Sequence, residues 1–130
     1  MRAETSNWLK SAEYDIETAR FMLSSERYIY VVFLCHLAIE KMLKAIVCET
    51  HGMSPPRTHN LIYLANHAKM QFDPIHNQFI SMLNNVSIPT RYPADMQKTL
   101  LEYTREVVSS YLKQTEEVVK WLKSQPKLRE

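Results

Sequence analysis

Apolar residues recur at every third or fourth position through most of the chain, the spacing of one face of an α-helix. The first such stripe predicts a helix over about residues 5–25, and the second predicts a helix over about 28–50. The second segment begins apolar on all sides, so we expect it to be the central, most buried helix. Charged residues interrupt it before it reaches the roughly twenty apolar residues of a membrane span.

Glycine and proline mark the boundaries of the later helices. Gly52 is the only glycine of the chain, and we expect it to end the second helix in a left-handed conformation. Thr58 is expected to cap a short third helix, and Asp73, followed by Pro74, to cap a fourth. The second proline-bounded segment, over residues 88–93, is expected to be a loop.

The last predicted helix covers about residues 95–124 and carries an apolar seam of the heptad type. At 1.5 Å per residue it would be about 45 Å long, more than a small core requires, so we expect part of it to make an intermolecular contact. Beyond it, residues 127–130 are expected to fray. The seam consists of Leu101, Thr104, Val108, Tyr111, Thr115, Val118 and Leu122.

Together these segments predict an all-α, up-and-down helical bundle of about five helices with a long C-terminal helix. Strand-like alternation is absent, and one glycine is too few for a sheet with tight hairpins. A length of 130 residues, with 45% hydrophobic and 23% charged residues, fits a single domain over 1–130. The net charge of +2 names no partner.

Targeting and redox signals narrow the class of protein further. No leader-like segment opens the chain, so we expect a soluble cytoplasmic protein without membrane attachment. Cys35 and Cys48 would lie about 20 Å apart on one helix, too far for a disulfide, and are expected to be buried thiols. No glycine-rich phosphate loop, GxSxG elbow or paired-cysteine motif is present, so the sequence predicts no cofactor and no metal.

A polar stripe interrupts the second helix, because His36, Glu40 and Lys44 follow one another at intervals of four residues. One interpretation is an intrahelical pair between Glu40 and Lys44, with His36 hydrogen-bonded to a neighbouring helix. The other is a cleft in which Lys41 or Lys44 meets a phosphate. The spacing of His36 and Glu40 would also suit a metal, but no third ligand is placed by the sequence.

Two further segments carry candidate chemistry. His59 follows two prolines and would either cap the third helix or turn into a cleft. Arg91 and Tyr92 put a guanidinium beside an aromatic ring, which suits a phosphate with a stacked base and equally suits a buried salt bridge.

Four segments together resemble the HEPN domain family. They are FLCHLAIEKMLKA at 33–45, PRTHNL at 56–61, RYP at 91–93, and the order Trp8-Leu9, Ala12, Asp15, Ala19 in the first helix. The resemblance extends over nearly the whole chain. It implies a helical bundle that usually dimerises, that occurs beside a small nucleotidyltransferase of the MNT type, and that often acts in toxin–antitoxin pairs. Some relatives bind nucleotides, and others cleave RNA.

This sequence departs from the ribonuclease branch of the family. That branch has an arginine followed four to six residues later by a histidine, whereas Arg91 has no histidine after it and Arg57 has His59 only two residues away. Arg27 and His36 have eight residues between them. A neutral-pH proton shuttle is normally a histidine, so we expect no ribonuclease activity and keep it as the alternative. A protein-interaction scaffold without a ligand is a third possibility.

The resemblance and the candidate residues together predict a module that binds a nucleotide or a nucleic-acid phosphate and acts with a nucleotidyltransferase partner. Lys41, Lys44 and Arg91 would meet the phosphate, and Tyr92 would stack on a base. The cleft would be shaped by His36, Glu40 and His59. We expect a homodimer.

Overall fold

The computed structural model describes residues 1–128, which form six α-helices and a final 3₁₀ helix. No strand occurs within these residues, so the all-α prediction is confirmed. The helices are α1 (Ala3–Ser24), α2 (Tyr28–His51), α3 (Leu61–His67), α4 (Pro74–Arg91), α5 (Met96–Glu102), α6 (Arg105–Lys123) and the 3₁₀ helix Pro126–Leu128.

Helix α2 is the centre of the bundle, as its apolar sequence predicts. It packs against α1, α3, α4 and α6, and most of its residues are buried. None of the helices within residues 1–128 combines the length and the apolar character that crossing a membrane requires. The largest fully buried side chains of the bundle include Ile39, Met42, Leu43, Ile46, Leu61, Leu64, Ile80, Leu83 and Leu122.

Three local predictions are confirmed. Gly52 ends α2 with φ 68°, a left-handed conformation that costs glycine little because it has no Cβ. Asp73 caps α4 by accepting a hydrogen bond from the His76 amide at 2.9 Å, and Pro74 is the first helical residue. Cys35 and Cys48 are buried and free.

The predicted cap of α3 was wrong by two residues. The side chain of Asn60 accepts hydrogen bonds from the amides of Ile62 and Tyr63. Thr58 instead accepts one from the Asn60 amide at 3.1 Å, so its hydroxyl shapes the turn before the helix. Asparagine caps helices at least as well as threonine, and the turn formed by Thr58 delays the first helical residue to Leu61.

The predicted loop over 88–93 was also wrong, because α4 continues through Pro89 to Arg91. A proline inside a helix removes one amide donor, and here it lies on the exposed side. The carbonyl oxygen that loses its helical partner belongs to Asn85, which is also exposed. The Thr90 hydroxyl adds hydrogen bonds to the last turn by donating to the carbonyl oxygens of Val86 (2.7 Å) and Ser87 (3.1 Å). Arg91 therefore projects from the last turn of a helix.

The predicted long C-terminal helix is two helices, with a break at Tyr103 and Thr104. Thr104 caps α6, and α5 has no buried residue, so no core contact opposes the capping signal. Within the seam, Leu101 is 79% exposed. The surplus length that suggested an intermolecular contact is therefore not present. The buried seam residues are Val108, Thr115, Val118 and Leu122.

The C-terminal segment differs from the prediction as well. Leu128 is buried and belongs to the hydrophobic core, and the 3₁₀ helix contacts α2. Fraying at 127–128 was therefore a wrong prediction, because burial of a leucine side chain holds these residues in place. Residues 129–130 lie outside the described part of the chain.

Candidate functional site

The polar stripe of α2 lies inside the bundle. His36, Glu40 and Lys44 are 1%, 3% and 7% exposed. The carboxylate of Glu40 accepts a hydrogen bond from Lys44 Nζ at 3.0 Å, and Glu40 Oε1 lies 3.7 Å from His36 Nδ1. A buried carboxylate needs such partners, since an unpaired charge in an apolar interior is costly.

His59 meets the same carboxylate from the loop before α3. Its Nδ1 lies 3.0 and 3.1 Å from the two Glu40 carboxylate oxygens, while 70% of the His59 side chain remains exposed. A carboxylate can only accept hydrogen bonds, so Nδ1 carries the proton in this contact. Nε2 of the neutral ring is then left as an acceptor. Glu40 therefore fixes both the orientation and the tautomer of His59.

His36 is neutral at physiological pH. Burial lowers the pKa of His36 to about 4; the Glu40 carboxylate acts in the opposite direction, and the Arg91 charge lowers it further. Within residues 1–128, no group has hydrogen-bond geometry to either ring nitrogen. The Asn84 side chain on the neighbouring helix α4 nevertheless acts on His36 as a hydrogen-bonding group and raises its pKa. The partner expected in the structural interpretation of the stripe is therefore present, but not in close hydrogen-bond geometry.

Asn84 on α4 links this helix to the start of α3, close to His59. Its Oδ1 accepts a hydrogen bond from the amide of Leu61 at 2.9 Å, at the start of α3. This contact holds the α3 entrance, and with it His59, against α4. Sequence reasoning missed Asn84, because an asparagine within a predicted helix carries no local signal of such a role.

Arg91 lies at the end of α4, with its guanidinium carbon 4.4 Å from the centroid of the Phe33 ring. That distance is a cation–π contact. Within the described part of the chain, no carboxylate lies within ion-pair distance of Arg91, and its Nε is buried without a hydrogen-bond partner. The salt-bridge interpretation of Arg91 is therefore not supported.

An open pocket of about 240 Å³ lies beside this guanidinium; we call it the aromatic pocket. Tyr92, which caps the end of α4, lies at the edge of this pocket and is 77% exposed. Tyr30 and Phe33 come from the first turns of α2, and neither was among the candidate site residues predicted from the sequence. The pocket is lined by Tyr30, Phe33, Thr90, Arg91 and Tyr92.

The two candidate lysines do not join Arg91. Lys41 points to α1, where its Nζ lies 2.8 Å from the Asp15 carboxylate and 2.7 Å from the Ser11 hydroxyl. Lys44 is in the Glu40 cluster, and its Nζ lies 5.3 Å from the Trp8 ring centroid. Of the three predicted phosphate ligands, Arg91 alone has no carboxylate partner within residues 1–128.

A larger groove between α1 and α6, of about 440 Å³, contains none of the candidate residues. Its charged groups are largely paired with one another, as in the contact of Arg20 with Glu116 at 2.7 Å. Its size therefore does not make it the better candidate. Among the described residues, no group of three or more histidine, cysteine, aspartate or glutamate side chains is placed to hold a metal ion.

Comparisons with known proteins agree with the fold. The HEPN domain family model matches residues 5–125. The crystal structure of ST0689, an archaeal HEPN homologue, is similar with a TM-score of 0.74 and 24% identity over 96% of this chain and 98% of that chain. TT1696 from Thermus thermophilus is similar with a TM-score of 0.77 and 19% identity, over 94% and 98% of the two chains. A search of curated proteins found no match.

Proposed function

The chain belongs to the HEPN domain family, and from that premise we propose that it binds the phosphate of a nucleotide or nucleic acid at the end of α4. Arg91 is the principal phosphate ligand. This family is commonly associated with nucleotides and RNA, and the proposal assigns that property to one place in the fold.

The observation that carries the proposal is the unpaired guanidinium of Arg91. Its Nε is buried without a partner, and no carboxylate of residues 1–128 neutralises its charge. Arginine presents a planar fork of donors that matches phosphate oxygens, and charge-assisted hydrogen bonds of this kind are stronger than neutral ones. An incoming phosphate would neutralise this charge.

The neighbouring cluster does not cancel the charge of Arg91. The negative charge of Glu40 is offset by Lys44, whose Nζ donates a hydrogen bond to it at 3.0 Å. The positive charge of Arg91 therefore remains unbalanced. His59 would turn its Nε2 toward solvent, and Tyr92 would stack on a base. Lys41, held by Asp15, makes no phosphate contact in this proposal. A net positive site raises the local concentration of anions.

The assembly is part of the same proposal. We propose a homodimer that acts with an MNT-type nucleotidyltransferase in a toxin–antitoxin pair, and the partner and the pairing rest on the family resemblance alone. One feature of the chain supports an intermolecular contact. Helix α5 buries no residue, and it exposes Met96, Leu100 and Leu101, an apolar surface of the kind that subunit interfaces cover.

Titration of the Arg91→Ala variant tests the proposal. Loss of a charge-assisted hydrogen bond, worth about 1.5–3 kcal/mol, should weaken the binding of inorganic phosphate or a nucleotide about 10- to 100-fold. The matched control is Arg20→Ala, which removes the same charge from the α1–α6 groove. Equal affinity of the Arg91 variant and the wild-type protein would refute the assignment, as would a loss of stability that accounts for the lost binding.

A second candidate function is metal-independent RNA cleavage, and the contact of His59 with Glu40 favours it. A buried carboxylate that holds Nδ1 leaves Nε2 available to take a proton from a ribose 2′-hydroxyl, as a general base does. The arginine–histidine spacing of the family's ribonucleases is still missing, and for that reason cleavage is the second candidate.

A further inference from the structure

Resting on the phosphate-binding function proposed above, we infer that the aromatic pocket receives one base of a single-stranded nucleic acid, stacked against Tyr30. Tyr30 lies in the first turn of α2 and Tyr92 at the end of α4, and they line the same pocket. The two side chains are 59% and 77% exposed. Both therefore offer ring faces to a ligand from solvent.

Phe33 and Arg91, which line the pocket together with the two tyrosines, are suited to a planar ligand. Phe33 lies in the pocket with the Arg91 guanidinium 4.4 Å from its ring centroid. Nucleic-acid bases stack on aromatic side chains and on guanidinium planes, and the charge of arginine adds a cation–π contribution. The guanidinium would at the same time stand beside the phosphate that follows the stacked base.

The dimensions of the pocket favour a strand over a free nucleotide. Sites for small molecules usually enclose about 300–1,000 Å³ and bury most of the ligand. The aromatic pocket has about 240 Å³, and its two tyrosines are largely exposed, so it can hold one ring system but cannot enclose a whole nucleotide. Open platforms of this kind are typical of proteins that bind single strands. In a duplex the base faces are stacked and inaccessible.

The residue types in the pocket also predict weak discrimination between bases. Reading a base edge requires hydrogen-bonding side-chain groups in the plane of the base, such as amide, carboxylate, guanidinium or hydroxyl groups. The Thr90 hydroxyl donates to carbonyl oxygens of its own helix, and the Arg91 guanidinium lies over a ring. Recognition would therefore rest on stacking and charge, which every base and both kinds of sugar permit.

Fluorescence anisotropy with labelled single-stranded RNA tests this inference. Replacing one stacking residue costs about 1–3 kcal/mol per base, so Tyr30→Ala should weaken binding about 5- to 150-fold, whereas Tyr30→Phe should restore most of it. The same strand as DNA should bind similarly, and the duplex should bind less tightly. An oligonucleotide without bases should bind the wild-type protein and the Tyr30→Ala variant equally.

The control is Tyr14→Ala, which removes another tyrosine that is 71% exposed but lies on α1, and it should leave binding unchanged. If Arg91→Ala weakens RNA binding while Tyr30→Ala does not, the phosphate site stands and the base pocket is refuted. If neither the oligonucleotides nor phosphate bind the wild-type protein, both proposals fail. If the Tyr30→Ala protein has a different oligomeric mass in solution but the same RNA affinity, the pocket is an interface between copies of the chain, and the inference is overturned.

Discussion

Replacing Glu40 by glutamine removes the charge at the centre of the buried cluster while keeping the shape of the side chain. The Glu40 carboxylate is 3% exposed and bonds Lys44 Nζ at 3.0 Å and His59 Nδ1 at 3.0 Å. In Glu40→Gln, the Lys44 ammonium would remain buried without a counter-charge. Removing one partner of a buried ion pair costs about 3–5 kcal/mol, so we expect the free energy of unfolding to fall by that amount.

Urea denaturation followed by the helical circular dichroism signal measures this change, and thermal melts should show a fall of about 10–20 °C for a chain of this size. The matched control is Glu117→Gln, which neutralises an exposed glutamate of α6 and should change stability by less than about 0.5 kcal/mol. The double replacement Glu40→Leu with Lys44→Met should recover most of the loss, because no unpaired charge remains.

Two results would contradict the reasoning. Glu40→Gln could unfold at the same urea concentration as the wild-type protein, which would mean that Lys44 reaches water without its partner. Alternatively, the double replacement could be as unstable as Glu40→Gln, which would mean that the loss comes from packing or from His59 and not from the unpaired ammonium.

Three further predictions concern pH, assembly and activity. The pKa of His36 is lowered to about 4 from 6.5, so the unfolded chain binds more protons than the folded chain between these two pH values. The free energy of unfolding should therefore fall by up to about 3 kcal/mol as the pH drops from 6.5 to 4. Urea denaturation at several pH values should show a weaker pH dependence of stability for a His36→Gln variant. Light scattering should give twice the chain mass, and Leu101→Asp, placed on the exposed face of α5, should shift the protein toward the monomer; a monomer at all micromolar concentrations would refute the dimer. Purified protein should leave single-stranded RNA and transfer RNA intact without metal, because the arginine–histidine spacing is missing; cleavage that disappears in His59→Ala or Arg91→Ala would instead support the second candidate function.

The features that sequence alone determined are those decided within a few residues. The left-handed turn at Gly52 follows from the absence of a Cβ, and the start of α4 follows from Asp73 capping the helix before Pro74. The central place of α2 follows from a segment that is apolar on every side. In each case the chemistry of neighbouring positions suffices, because capping bonds and helical faces are local properties of the chain.

The break before α6 and the passage of α4 through Pro89 depended on more than local signals. A heptad pattern runs through Thr104, yet α5 packs nothing into the core and the threonine caps a new helix. Pro89 is a local signal for a loop, yet the helix continues through it, because the proline and Asn85, whose carbonyl it leaves without a helical donor, are both exposed. Which of two competing signals prevails is decided by burial, and burial is a tertiary property.

The candidate site shows the same division more sharply. Sequence spacing placed His36, Glu40 and Lys44 on one side of α2, and the family resemblance grouped His59 with Glu40 in one cleft. Neither brought Arg91 to Phe33. Sequence reasoning also assigned Lys41 to the phosphate, whereas the packing of α1 against α2 places its Nζ 2.8 Å from the Asp15 carboxylate. Residues far apart in the chain meet only when the helices pack, and a side chain's partner is then whichever group that packing leaves within a few ångströms.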